Sequence, residues 1–278
     1  MVTFIRKYPI WAFLIINYAV SWGFLYPSYR IIQENDGITP LALIGLIGAY
    51  GPTIAAIIVQ GVLDKKKLKT MLGRLLRVRV SCRIYLFVII APILFYVVAY
   101  LLGTMVLDGN LHISWMAGLS GIPIWFLAAL PFGPMGEELG WRGFMLPRLL
   151  DKFSILKASF FVGLAWGVWH LASFSFPGAA IPEFLSVNVW TIFLYFANTI
   201  ALSIVFSYVY LKSRGSVFMA ILLHTFFNAA SNITFDFFAE TQNVALLTTT
   251  YILNLVLAGT VGVLLVKKAE KRGLKKII

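Results

Sequence analysis

Charge is what this chain lacks most. Asp, Glu, Lys and Arg make up 12% of its 278 residues, while 60% are hydrophobic. Soluble domains carry roughly 25% charged residues, and a soluble fold of this length would have too few to cover its surface. The composition therefore excludes that class and leaves a polytopic membrane protein. Cysteine is nearly absent: Cys82 is the single one, so no intramolecular disulfide is possible. Histidine occurs as His112, His170 and His224 alone, and no His-Glu-x-x-His run marks a helical zinc site. No two halves of the chain repeat each other, which weakens a transporter built on inverted repeats. The charge that is present is mostly positive, with a net value of +12. In a soluble protein this excess suggests nucleic acid. In a membrane chain it points to cytoplasmic loops beside anionic lipid, so a bilayer and no nucleic acid is expected as partner.

About eight apolar stretches are long enough to cross a core of roughly 30 Å. They cover 9–29, 40–63, 84–107, 117–150 (broken), 158–176, 188–211, 217–235 and 244–266. The expected fold is all-α, one integral membrane domain over 1–278 with its motif-bearing core at about 117–235. The first stretch follows Arg6 and Lys7 and has no Ala-x-Ala-like cleavage site, so it reads as a retained span. With both termini cytoplasmic, every Lys and Arg except Arg30 lies inside, whereas Glu34, Asp36, Asp108, Glu183, Asp236 and Glu240 lie outside. Residues 64–83 are basic, with Leu68, Met71, Leu72, Leu75 and Leu76 at helical spacing. They read either as an amphipathic segment on the inner leaflet or as a plain basic loop.

The fourth stretch organises the rest. It contains Pro131-Phe132-Gly133-Pro134-Met135-Gly136-Glu137-Glu138-Leu139-Gly140-Trp141-Arg142. Adjacent carboxylates inside an apolar run are costly and mark a functional site. The prolines and glycines break the backbone, and a fresh helix from Met135 to Leu150 puts both glutamates in its first turn. Arg142 lies four residues after Glu138, the spacing of a same-face ion pair. His170 lies in the fifth span. His224 and Asn228 share one face of the seventh, and His112 falls in an external loop. Counted at the helical rise from the inner ends, Glu137 is about 21 Å deep, His170 and Asn228 about 18 Å, and His224 about 12 Å. The set suits hydrolysis: a carboxylate and His to activate water, and His and Asn donors for an oxyanion. Glu137, His170 and His224 are also a known zinc ligand set, so zinc stays open beside a cofactor-free reading. Trp166, Trp169 and Phe227 supply apolar walls for a substrate cavity.

Three ordered motifs carry a resemblance: Glu137-Glu138-x-x-x-Arg142, an aromatic-x-x-x-His ending at His170, and His224-x-x-x-Asn228. They resemble those of the type II CAAX prenyl endopeptidases, the Ras-converting proteases, and their relatives in the CPBP (Abi) intramembrane protease family. The second motif usually opens with Phe, and here Trp166 stands there. The resemblance implies eight helices around a cavity open to the cytosol. It implies removal of the last three residues of a prenylated Cys-a-a-X protein or peptide. By position, Glu137 and His170 would activate water, His224 and Asn228 would hold the oxyanion, and Glu138 and Arg142 would support them. It leaves a metal-dependent and a glutamate-dependent mechanism open. The plasma membrane of a prokaryote is expected rather than the endoplasmic reticulum. The competing readings are a CPBP-type protein for bacteriocin immunity or processing, and a non-catalytic transporter or scaffold.

Overall fold

The computed structural model describes residues 1–35, 37–107, 118–176, 179–181, 185–241, 243–271 and 273. His112 and Asp108 lie outside these residues. Among the described residues all regular structure is helical. In chain order the helices are α1 (Val2–Lys7), α2 (Pro9–Glu34), α3 (Gly45–Ala49), α4 (Gly51–Leu63), α5 (Lys65–Gly73), α6 (Cys82–Leu107) and α7 (Ile122–Ala129). They continue as α8 (Pro134–Glu138), α9 (Leu146–Leu150), α10 (Ile155–Trp169), α11 (Val189–Lys212), α12 (Val217–Thr241) and α13 (Val244–Lys271). Proline opens several of them, in the first turn of α2, α4, α7, α8 and α9. The missing N–H has no helical partner at that position, so proline there is free of penalty.

Among the described residues six helices are long and apolar enough to cross a membrane. The pair Leu41–Ala49 and Gly51–Leu63, bent by 52°, makes a seventh if it is one span. The expected eighth, 117–150, is not one helix. It runs through α7, a 3-10 turn at Leu130–Phe132, α8, a π-helical stretch at Leu139–Met145, and α9. The break falls at Pro131–Pro134, as the prolines dictate. The π-helical widening after the two glutamates corrects the expected regular helix from Met135 to Leu150. Such widenings recur at functional sites.

The basic segments meet at one end of the bundle. Arg74 hydrogen-bonds the Tyr210 hydroxyl, Arg77 donates to the Arg214 carbonyl, and Arg148 donates to Gln60. The Ser216 hydroxyl donates to the Arg77 carbonyl at 2.6 Å, and Glu270 accepts the N–H of Ile155 at 2.9 Å. Arg30 sits far from this set, beside Glu34 at 4.0 Å. The 64–83 segment does form a helix: Asp64 caps α5 through the N–H groups of Lys66 and Lys67, and Met71 is buried while Lys65–Lys67 are exposed. A tight turn joins α11 to α12, with Arg214 at φ 57° and Gly215 at φ 83°, where glycine carries no Cβ penalty. It holds the two helices antiparallel and sets Phe206 beside His224.

Gly136 and Gly140 let the motif approach the end of α3 and the start of α4 backbone to backbone. A Cβ on Gly136 would meet the Ala49 carbonyl oxygen at 2.5 Å, and one on Gly140 would meet that of Pro52 at 2.6 Å. This is small-xxx-small packing, in which short residues replace the hydrophobic drive that lipid cannot supply. It turns one face of the Gly-Glu-Glu-Leu-Gly run to α4 and the glutamates inward.

Candidate active site

The two glutamates part company at the first atom beyond the backbone. Glu138 turns toward a fully buried ion pair. Its Oε1 accepts from Arg142 Nη1 at 2.7 Å, with both side chains at 0% exposure, and from His224 Nδ1 at 2.9 Å. The Arg142 guanidinium lies over two rings, 4.9 Å from the centroid of Trp166 and 4.5 Å from that of Phe206. These faces accept a flat cation and complete the enclosure of its charge.

Glu137 turns the other way, into a cavity of about 290 Å³. Its Oε2 accepts from two indoles, Trp166 Nε1 at 2.6 Å and Trp141 Nε1 at 3.3 Å. Among the described residues no hydrogen-bond donor engages Oε1. Phenylalanine in place of Trp166 would bring no such donor, so the departure from the usual second motif places a hydrogen bond on Glu137.

The histidines are oriented by their Nδ1 atoms. In His170, Nδ1 lies 3.0 Å from the Trp166 carbonyl oxygen, which only accepts, so the proton sits on Nδ1 and the lone pair on Nε2. In His224, Nδ1 lies 2.9 Å from Oε1 of the Glu138 carboxylate, which only accepts, so Nδ1 donates. His170 packs edge-on against Trp169 and Tyr195, and His224 against Trp166.

Glu137, His170, His224 and Asn228 all line this one cavity, as do Trp166, Trp169 and Phe227. Glu138 and Arg142 stand behind its wall. Trp169 contributes its ring, while its N–H is spent on Ser21 at 2.6 Å, tying α2 to α10. Among the described residues, no three of His, Cys, Asp and Glu come together closely enough to hold a metal ion. The potential zinc set of Glu137, His170 and His224 is therefore not brought together as a metal site in this arrangement.

Several lining residues carried no signal in the sequence: Tyr195, Asn198, Ser231 and Tyr251. Asn198 Nδ2 donates to the Tyr251 hydroxyl at 3.2 Å. Trp141 did carry one. It is four residues after Glu137, the same spacing that pairs Arg142 with Glu138.

The cavity does not reach the basic end. Below His224 the bundle is closed by Trp141, Arg142, Phe144 and Phe206, all fully buried. The cavity extends the other way, past Asn228, Tyr195 and Tyr251, to Ala179, which is exposed. Among the described residues, none of the Lys and Arg residues of the basic segments lines this cavity.

The sequence model of the family described as type II CAAX prenyl endopeptidase Rce1-like matches residues 118–230. The CAAX prenyl protease 2 of Methanococcus maripaludis is 30% identical over 107 residues, 38% of this chain. The matched stretch spans 39% of that relative's length. Glu137, Glu138, Arg142, His170, His224 and Asn228 all fall within 118–230, so the segment that carries the candidate site is the one similar to the type II CAAX prenyl endopeptidase Rce1-like family.

Proposed function

We propose that this chain is a membrane-embedded endopeptidase of the CAAX prenyl protease type, cleaving a peptide bond near a lipid-modified C-terminus. The observation that carries the reading is the convergence of Glu137, His170, His224 and Asn228 on one cavity, with Glu138 and Arg142 behind them. Glu137 Oε1 takes a proton from a water molecule, and the resulting hydroxide attacks the scissile carbonyl carbon. His224, protonated and held by Glu138, donates from Nε2 to the oxyanion together with the Asn228 amide. When the tetrahedral intermediate collapses, the C–N bond breaks and the proton passes to the leaving amine through Glu137 or His170. The substrate in this reading is a prenylated Cys-a-a-X tail that loses its last three residues. The test is a pair of peptides of one sequence, prenylated and bare, followed by mass spectrometry. The prenylated peptide is cut and the bare one cut far more slowly. Equal cleavage contradicts recognition of the lipid.

The reaction proceeds without a transition metal in this proposal; what supports this is that among the described residues no three of His, Cys, Asp and Glu come together closely enough to hold one. Cleavage is expected to survive exhaustive chelation. Loss of activity on stripping, with recovery on adding back stoichiometric zinc, overturns this.

The basic end is the cytoplasmic face, by the positive-inside rule, and the membrane is that of a prokaryote. Native Cys82 reports on this, being exposed at that end. An impermeant maleimide leaves it unlabelled in intact cells and labels it after permeabilisation. A cysteine placed at Ala179 in a Cys82→Ser background behaves oppositely. Labelling of Cys82 from outside reverses the orientation and turns the cavity toward the cytoplasm. The remoteness of the cavity lining from the basic end favours a second reading, a CPBP-type protease for bacteriocin immunity or processing with another substrate.

A further inference from the structure

Trp166 touches Glu137, Arg142, His170 and His224 at once. It sits on α10 and is buried. Its indole N–H donates to Glu137 Oε2 at 2.6 Å, and its backbone carbonyl accepts from His170 Nδ1 at 3.0 Å. Its ring centroid lies 4.9 Å from the Arg142 guanidinium carbon and 5.1 Å from that of the His224 ring, which it meets edge-on. The other indole on Oε2, that of Trp141, stands off at 3.3 Å, beyond the usual N–H···O range of about 2.7–3.2 Å. The Oε1 side borders the cavity at Gly133. A Cβ on Gly133 would lie 3.1 Å from Oε1, and Gly133 is part of the cavity wall. One oxygen of Glu137 is thus held by donors, and the backbone beside the other carries no side chain.

We propose that Trp166 is a positioning residue for Glu137: its indole N–H fixes the carboxylate about its last torsion and so presents Oε1 to the cavity. That torsion has a broad well of its own, so the side chain alone does not choose which way its oxygens face. A donor of fixed direction makes the choice, and a hydrogen bond to a carboxylate belongs to the short, strong class. The ring of Trp166 does separate work, covering Arg142 and packing on His224. Phenylalanine at this position keeps an aromatic ring and donates nothing. The carboxylate is then left with the long bond from Trp141 alone. The inference rests on the endopeptidase reading for its effect on rate only, since the hydrogen bond exists or fails without turnover.

Two measurements decide it, both on the full-length protein in detergent. In the first, Trp166→Phe is compared with a protein carrying benzothienylalanine in place of Trp166. That analogue keeps the two-ring shape and puts sulfur where the N–H was. Both lower kcat for a prenylated peptide about 10- to 100-fold, the scale of a displaced catalytic group, and both leave KM at the parent value. If Trp166→Phe does not fold, the analogue, which keeps the packing, carries the comparison. Parent kcat or a raised kcat with the analogue, or a loss that falls on KM, overturns the proposal. In the second, the indole nitrogens carry an NMR-active isotope. The Trp166 N–H resonance, assigned by its absence from the benzothienylalanine protein, moves upfield in Glu137→Gln, because a neutral amide oxygen is the weaker acceptor. A Trp166 resonance that stays in place overturns the proposal whether or not the protein cuts peptides. If the folded parent cuts no peptide, the endopeptidase reading fails, and the resonance still decides the hydrogen bond.

Discussion

Arg142→Met lowers the yield of folded protein and its thermal unfolding temperature in detergent more than any other single change at the site. The pair it breaks is fully buried, with Nη1 of Arg142 2.7 Å from Oε1 of Glu138. Removing one partner strands the other's charge in a medium that cannot solvate it, at a cost of about 3–5 kcal/mol. The pair has little reserve, because Glu138 Oε2 and Arg142 Nε and Nη2 meet no polar partner among the described residues. Arg142→Lys restores little. An ammonium is compact and strongly hydrated, and it lacks the flat face that Trp166 and Phe206 enclose. The double variant Glu138→Gln with Arg142→Met regains part of the loss, since it removes both charges together. Thermal unfolding of the four proteins in one detergent checks this. An Arg142→Met protein as stable as its parent would show that the pair contributes nothing to holding the motif in place.

Glu138→Gln alone acts on the site at one remove. It weakens the acceptor that holds His224 at 2.9 Å and keeps that ring in the orientation where Nε2 is the nitrogen left for the cavity. In the mechanism proposed above, oxyanion stabilisation depends on that orientation.

How much of this was legible in the sequence depended on how local each feature is. The Glu138–Arg142 pair follows from a spacing of four on one helix, and the structure holds it as an ion pair. The depths of Glu137, His170, His224 and Asn228 follow from the helical rise, and all four line one cavity. The faces of separate helices are set by tertiary contacts, which spacing does not record. Phe206 lies in the sixth span with no motif around it, yet it covers Arg142 and touches His224. Gly136 and Gly140 read as backbone breakers. Their contact with the Ala49 and Pro52 carbonyls became visible only once α3 and α4 were placed. The π-helical stretch at Leu139–Met145 has no signature in residue type, because it comes from how the helix settles against α4. The side toward which the cavity extends was likewise beyond the motifs. It is decided by bulky residues packed under His224, not by the groups that carry chemistry.

The reading as a whole turns on Glu137. It is 3% exposed and lines the cavity, with Oε2 engaged by Trp166 and Trp141 and no donor on Oε1 among the described residues. Glu137→Gln keeps the size of the side chain and an oxygen for the two indoles, so the fold is expected to survive. What it removes is the capacity to accept a proton from water. General-base catalysis contributes about 10²–10⁴-fold, and the loss in kcat should fall in that range or beyond. The direct measurement is the mass of a prenylated Cys-a-a-X peptide after incubation with purified, folded parent protein and with Glu137→Gln. The account predicts loss of the C-terminal three residues with the parent and an unchanged peptide with the variant. Cleavage by Glu137→Gln at the parent rate, or no cleavage by the folded parent, would contradict it.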